Sequence, residues 1–169
     1  MTVKVRLHRI ALLVFRRLPT PMRRMAVRRL APAFTVGAMC VIERADGRVL
    51  LIRHLYRKRW GVPGGLLQRG ENANDAARRE VFEEVGLDVE LVGEPTVNVD
   101  APPRRVDVVF RARPVDDVDA NDARPCSVEV VDARWFDPTE LPELQFETAQ
   151  AIQALARASY SPPARPLPA

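Results

Sequence analysis

"GVPGGLLQRGENANDAARREVFEEVGL", residues 61–87, is the stretch from which the rest of the chain can be read. Gly61, Gly64, Gly65 and Gly70, with Pro63 among them, predict a loop over 61–70. Helical spacing then runs from about Asn74 to Val85, and Gly86 is a natural C-terminal stop. Glu80, Glu83 and Glu84 fall within five positions of that helix, where like charges repel. At about 100° per residue, with Glu80 at zero, Glu83 falls near 300° and Glu84 near 40°. The three carboxylates therefore share one arc. Ala73, Ala76 and Ala77 occupy the same arc one turn earlier and leave space in front of them. Val81, Val85 and Phe82 make an apolar side that can dock the helix on a sheet. Unpaired carboxylates raise each other's pKa, and a divalent cation with hard oxygen ligands removes the repulsion. The competing structural reading is a solvated acidic face paired with Arg78 or Arg79. The preceding glycines shift the balance, because they let backbone approach a ligand or metal closely. Arg79 can also reach back to Glu71 and fix the loop against the helix.

Outward from this stretch, "FTVGAMCVI" (34–42) predicts a buried strand. "ADGR" is a hairpin turn with Asp-Gly at its centre, and "VLLIRH" (49–54) is the returning strand. Further strands are expected near 89–92, 96–99 and 106–112, and over "VEVVDARWF" (128–136). "PVDDVDANDARP" is a polar loop, "DPTELPEL" a short helical turn, and "FETAQAIQALARAS" (146–159) a last helix. Strands and helices mix without regular alternation, so the class is α/β or α+β with a mixed sheet.

The chain has 169 residues, 47% of them hydrophobic and 28% charged, which suits one globular domain with a real core. Two cysteines, Cys40 and Cys126, build no disulfide framework and fit a reduced, cytoplasmic compartment as small core residues. No apolar run reaches the roughly 18 residues of a membrane span. The net charge of +4 conceals an asymmetry. Residues 1–33 hold nine Lys or Arg and no acid, while the other 17 basic residues face 22 acids, leaving 34–169 at about −5. The basic pI thus belongs to an N-terminal arm, and no nucleic-acid polymer is expected as a partner of the body. In the arm Val3, Leu7, Ile10, Val14 and Leu18 form a helical stripe, and Pro19 and Pro21 end it. Such a stripe beside basic residues must be covered, either by protein (the body or a second copy, as in a homodimer) or by an anionic membrane surface. Docking on protein is the preferred expectation. The organisation expected is a basic amphipathic arm (1–33), a single domain (34–158) and a proline-rich disordered tail (159–169).

The segment Gly65–Leu87 resembles the Nudix box, G-x5-E-x7-R-E-U-x-E-E-x-G-U with U aliphatic. Gly65, Glu71, Arg79, Glu80, Val81, Glu83, Glu84, Gly86 and Leu87 match its fixed positions. "WGVPGG" and "ARWFDPTELPEL" are similar to the family as well, so the resemblance covers about residues 34–158. It implies an α/β/α sandwich around a mixed sheet with the box as a loop-helix-loop. It also implies hydrolysis of a nucleoside diphosphate linked to another group, X, with Mg²⁺ or Mn²⁺. By position Glu80, Glu83 and Glu84 would be metal ligands, with the Gly65 carbonyl as a further one. One glutamate would deprotonate the attacking water, and Arg79 and Glu71 would orient the rest.

Substrate choice is marked outside the box. Pro102 and Pro103 resemble the mark of ADP-ribose pyrophosphatases, whereas the compact core resembles MutT-like enzymes acting on nucleoside triphosphates. A Pro-Pro pair also reads as an ordinary loop. Trp60 could stack on a base or pack beside the glycine loop. Arg53, His54, Arg57, Lys58 and Arg59 could contact phosphate or form a solvated face, and Arg104 and Arg105 are equally two-sided. Arg53, Arg59, Arg104 and Trp60 are the substrate contacts expected. Trp135 is expected in the core, and Glu129 in a strand near where the family sometimes supplies a further acid, a role not expected of it here. The other class of function is a Nudix-fold nucleotide-binding or regulatory module without catalysis; its usual loss of box glutamates is not seen here.

Overall fold

The computed structural model describes residues 3–31, 33–100, 102–116 and 122–159. The expected proline-rich tail and the middle of the polar loop lie outside them. The chain divides into two compact units, 1–34 and 35–169.

In the first unit α1 (Val3–Arg17) and α2 (Thr20–Leu30) flank Pro19. Pro21 falls in the first turn of α2, where its missing N–H breaks no bond, so the second basic segment is itself a helix. Leu12, Leu13, Val14, Met22, Met25 and Leu30 are exposed. Of the predicted stripe, Val14 is exposed and Leu18 half-buried, while the side chains of Val3, Leu7 and Ile10 lie outside the description.

The second unit holds β1 (Thr35–Ile42), β2 (Val49–His54), β3 (Gly64–Leu66), α3 (Ala73–Val85), β4 (Val89–Asp100), β5 (Arg105–Pro114), β6 (Val130–Phe136) and α4 (Phe146–Ser159). One sheet has the order β3-β1-β5-β4, and β2 and β6 form a second. β1 runs parallel to β5, while β3–β1 and β5–β4 are antiparallel, so the sheet is mixed as expected. β1 alternates its contacts. Ala38, Cys40 and Ile42 face a core shared with Ala76, Ala77, Val81 and Val85 of α3. Met39 and Val41 face another with Ala151 and Leu155 of α4. Helices therefore cover both faces, and the architecture is an α/β/α sandwich.

Four local expectations are corrected. The Asp-Gly turn forms, with Gly47 at φ 82° and its N–H on Arg44 O. Its returning strand leaves β1 after a single bridge, Glu43–Val49, and pairs with β6 instead. The predicted loop contains β3, because Gly64, Gly65 and Leu66 complete the edge of β1. The two short strands at 89–99 are one, β4, bent between Val92 and Thr96 where Gly93 takes φ 69°. "DPTELPEL" turns without forming a helix.

Candidate active site

The helix carrying the glutamates starts on Asn72, whose side chain accepts the Asp75 N–H at 3.0 Å. It ends on Gly86 at φ 72°. Its docking face is rotated from the expected one. Ala76, Ala77, Val81 and Val85 are fully buried, whereas Phe82 is 55% exposed. The alanines permit close approach to the sheet rather than leaving a gap, so the buried arc is centred near them. Glu84 lies inside that arc and is only 7% exposed.

A buried carboxylate needs hydrogen-bond partners. Glu84 Oε2 accepts the Gly64 N–H at 2.9 Å, and its Oε1 lies 3.0 Å from His54 Nε2. The Tyr56 ring sits 5.4 Å from that of His54, and the Tyr56 hydroxyl donates to Glu129 at 3.2 Å. Desolvation, then the Glu129 contact, push the Tyr56 hydroxyl pKa up. Glu129 itself lies in the turn before β6, not in a strand.

Arg79 organises the other carboxylates. Its Nε and Nη2 donate to the two oxygens of Glu71 at 2.8 and 3.0 Å. Its Nη1 donates to Glu80 at 2.8 Å and to Glu83 at 3.0 Å, and Nη2 also reaches Leu66 O at 3.3 Å. These bonds, Glu71 first, raise the Arg79 pKa, and they hold Glu71 down at about 2. Glu80 moves the other way. Burial raises it, with Glu84 and Glu83 adding their charge against the opposing pull of Arg79.

Glu80, Glu84, Gly64 and Gly65 line a cavity of about 400 Å³, which His54, Tyr56, Arg57 and Arg105 also reach. Glu83 is not in its lining; its side chain is 52% exposed and accepts from Arg79. Gly65 is required here, because a Cβ on it would lie 2.4 Å from Glu80 Oε1. The donor set suits a hard divalent cation: two carboxylates open on one cavity beside bare backbone. Among the described residues, no three His, Cys, Asp or Glu side chains converge closely enough to enclose an ion. Arg79 and His54 occupy carboxylate oxygens that a bound cation would share or take over.

The expected substrate contacts are elsewhere. Trp60 packs edge-on against Phe136 at 4.9 Å in the α4-side core, with Arg53 and Arg134 over its ring at 5.9 and 5.7 Å. Arg53 also faces Asp132 at 3.6 Å, and Arg59 donates to Glu143 at 2.8 Å. Arg104 sits at φ 64° after the cis Pro102–Pro103 bond. None of these four lines the cavity; Arg57 and Arg105 do. His54, Arg57 and Arg105, whose sequence positions fit a phosphate contact and a solvated face equally, are the basic residues in the lining. Strand alternation across β5, which puts Arg105 and Asp107 on one face, was the signal available for Arg105.

A family model described as NUDIX domain matches residues 33–157. A MutT-like protein of Streptomyces ambofaciens is 32% identical over 116 residues, 69% of this chain and 72% of its own length. The crystal structure of a NUDIX hydrolase from Nitrosomonas europaea superposes with a TM-score of 0.65 at 25% identity, covering 78% of this chain and 76% of that one. An ADP-ribose pyrophosphatase from Streptococcus suis superposes at 0.59 with 27% identity, covering 76% and 94%. The chain spans only about 40% of the length of several other curated relatives it matches. Box, sandwich and family match coincide over the same residues: the chain belongs to the Nudix hydrolase family.

Proposed function

We propose that this chain is a divalent-cation-dependent hydrolase that cleaves a diphosphate linkage in a nucleoside diphosphate linked to X, with an ADP-ribose-like compound or a nucleoside triphosphate as substrate. The observation that carries it is the convergence of Glu80, Glu84 and the Gly64–Gly65 backbone on one cavity, with Arg79 tying the box together. Glu80 and Glu84 would hold Mg²⁺ or Mn²⁺, with Glu83 and the Gly65 carbonyl as further donors. When bound, the ion neutralises diphosphate charge and acidifies the attacking water. Arg79 keeps Glu80 and Glu83 in register with Glu71. The Gly64 N–H and His54 orient Glu84, and one box carboxylate takes the proton of the attacking water. Likeness to a "Putative 8-oxo-dGTP diphosphatase" of Bacillus subtilis and to an ADP-ribose pyrophosphatase supports both substrate types.

The test is product release from a panel of ADP-ribose, dinucleotides and nucleoside triphosphates with Mg²⁺ or Mn²⁺. Nucleoside monophosphate or pyrophosphate as product is expected. Binding without turnover across the panel would favour the regulatory module. For the arm, the proposal is docking on protein. Its exposed Leu12, Leu13 and Val14 need cover, and the acidic balance of 34–169 would attract its cations.

A further inference from the structure

β5 carries a carboxylate in the middle of an apolar strand. Asp107 is 3% exposed, between Val106 and Val108. An isolated charge at that depth is costly unless paired. Its partner is Arg105 on the same strand face, whose Nε lies 2.8 Å from both Asp107 oxygens. The pair exists only because Gly37, beside Asp107 on β1, has no side chain. A Cβ there would lie 2.4 Å from Asp107 Oδ1 and 3.1 Å from Arg105 Nη2.

That same point is 3.2 Å from the Gly65 carbonyl oxygen. Arg105 Nη2 and Gly65 O are therefore no more than about 6 Å apart. The guanidinium lines the cavity of Glu80 and Glu84. Among the described residues its side-chain hydrogen bonds run through Nε, and Nη2 lies near Gly37 and the Gly65 carbonyl. The cavity's other guanidinium, Arg57, is 44% exposed and faces Glu147 at 3.6 Å. Arg105 is thus the more firmly oriented of the two guanidinium groups beside Glu80 and Glu84. Planar N–H donors held in place are suited to phosphate oxygens.

We propose that Arg105, clamped by buried Asp107 in the space Gly37 leaves, binds an anionic oxygen of the substrate's diphosphate beside the box. The proposal deepens the hydrolase reading and rests on it for the substrate class. Asp107 is a positioning residue: it fixes the guanidinium plane and touches no substrate.

The experiment measures ADP binding by calorimetry with Ca²⁺ present, for the wild type, Arg105→Met, Arg105→Lys and the double variant Arg105→Met/Asp107→Leu. The double variant removes both charges and leaves no unpaired carboxylate in the interior. Arg105→Lys keeps a charge beside Asp107 and decides the matter should the double variant melt early. The expected result is an ADP dissociation constant raised about tenfold or more in every variant, with Mn²⁺ affinity, read by electron paramagnetic resonance, unchanged within about twofold. ADP affinity within about twofold of wild type in Arg105→Lys and the double variant would overturn the proposal, as would a parallel loss of Mn²⁺ affinity. A wild type that binds ADP no better than its variants overturns it too. Variants that lose ADP binding from a wild type inactive on the nucleotide panel would keep the role of Arg105 and end the hydrolase reading. Wild-type turnover with ADP affinity unchanged by the substitutions does the reverse.

Discussion

Replacing Gly64 and Gly65 by alanine, one at a time, separates folding from function at adjacent positions. A Cβ on Gly64 would meet Ala38 O at 2.4 Å and Met39 Cα at 2.8 Å, both backbone atoms of the central strand. Neither can move without disturbing β1, and Gly64 also has φ 156°. Overpacking costs about 1–3 kcal/mol and local backbone strain a further ~1–3. Gly64→Ala should therefore lose about 2–6 kcal/mol, a large share of a typical domain stability of about 5–15. The three atoms nearest a Cβ on Gly65 all belong to the Glu80 carboxyl group, at 2.4 to 2.6 Å. That group ends a flexible side chain and can swing away. The swing gives up the Arg79–Glu80 bond, a partly exposed pair of the kind that contributes about 0–1 kcal/mol. The stiffer unfolded chain returns about 0.4–1 kcal/mol. Gly65→Ala should thus fold within about 1 kcal/mol of wild type, yet turn over at least about a hundredfold slower, because Glu80 has left its place. Denaturant unfolding followed by circular dichroism, with turnover on the same preparations, makes the comparison. Equal stability losses in the two variants, or near-wild-type turnover in Gly65→Ala, would refute the steric reasoning.

Glu84→Gln should cost at least about a hundredfold in rate with the fold retained, and Glu83→Gln should cost less than Glu84→Gln, since Glu83 is outside the cavity lining and half exposed. Comparable turnover of Glu84→Gln and wild type would remove Glu84 from the site. A double-mutant cycle of Arg79→Met and Glu71→Gln should be non-additive in melting temperature, because Arg79 grips both Glu71 oxygens. The Glu71 contribution has a defined pH window: its folded pKa is depressed, so the stabilisation is complete above the unfolded value of 4.5 and is lost as pH falls toward about 2. A wild-type minus Glu71→Gln difference that grows on acidification contradicts that sign. Burial pushes the Cys40 thiol up to about 12, so at pH 8 a thiol reagent should modify only exposed Cys126 in the native protein and both cysteines in denaturant. Deleting residues 1–33 should lower the melting temperature or the assembly mass; unchanged values, with loss of binding to anionic liposomes, would assign the arm to a membrane surface.

Most of the box was legible because its spacing is a local property of one loop and one helix. The Glu71–Arg79 pair and the Gly86 stop follow from positions along a single turn pattern, whereas of the three glutamates only Glu80 and Glu84 line the cavity. The depth of Glu84 did not follow, since the face a helix buries depends on how closely its alanines let it approach a sheet elsewhere in the chain. The pairing of β2 was equally hidden. An Asp-Gly turn predicts that its flanking strands pair, but β2 forms its ladder with β6, from Leu50–Trp135 to Arg53–Asp132, which only tertiary packing selects. Trp60 and Arg53 had the chemistry of substrate contacts, yet they stack on each other away from the cavity. Arg105 and Arg104 are adjacent and identical in type; strand direction alone turns one of them into the cavity.

The β2–β6 ladder also sets an order of events during synthesis. His54 reaches Glu84 from the end of β2, and Tyr56, just past it, reaches Glu129. The antiparallel partner that holds β2 in line is residues 130–136, made after the whole box has left the ribosome. The nascent chain can seat α3 on β1 and β3 early, since residues 35–85 suffice for those contacts. The His54 wall gains its ladder only when β6 arrives. Completion of this candidate site would thus wait on translation of the C-terminal third, since the acidic helix is made before the strand that pairs with β2 beside its histidine neighbour.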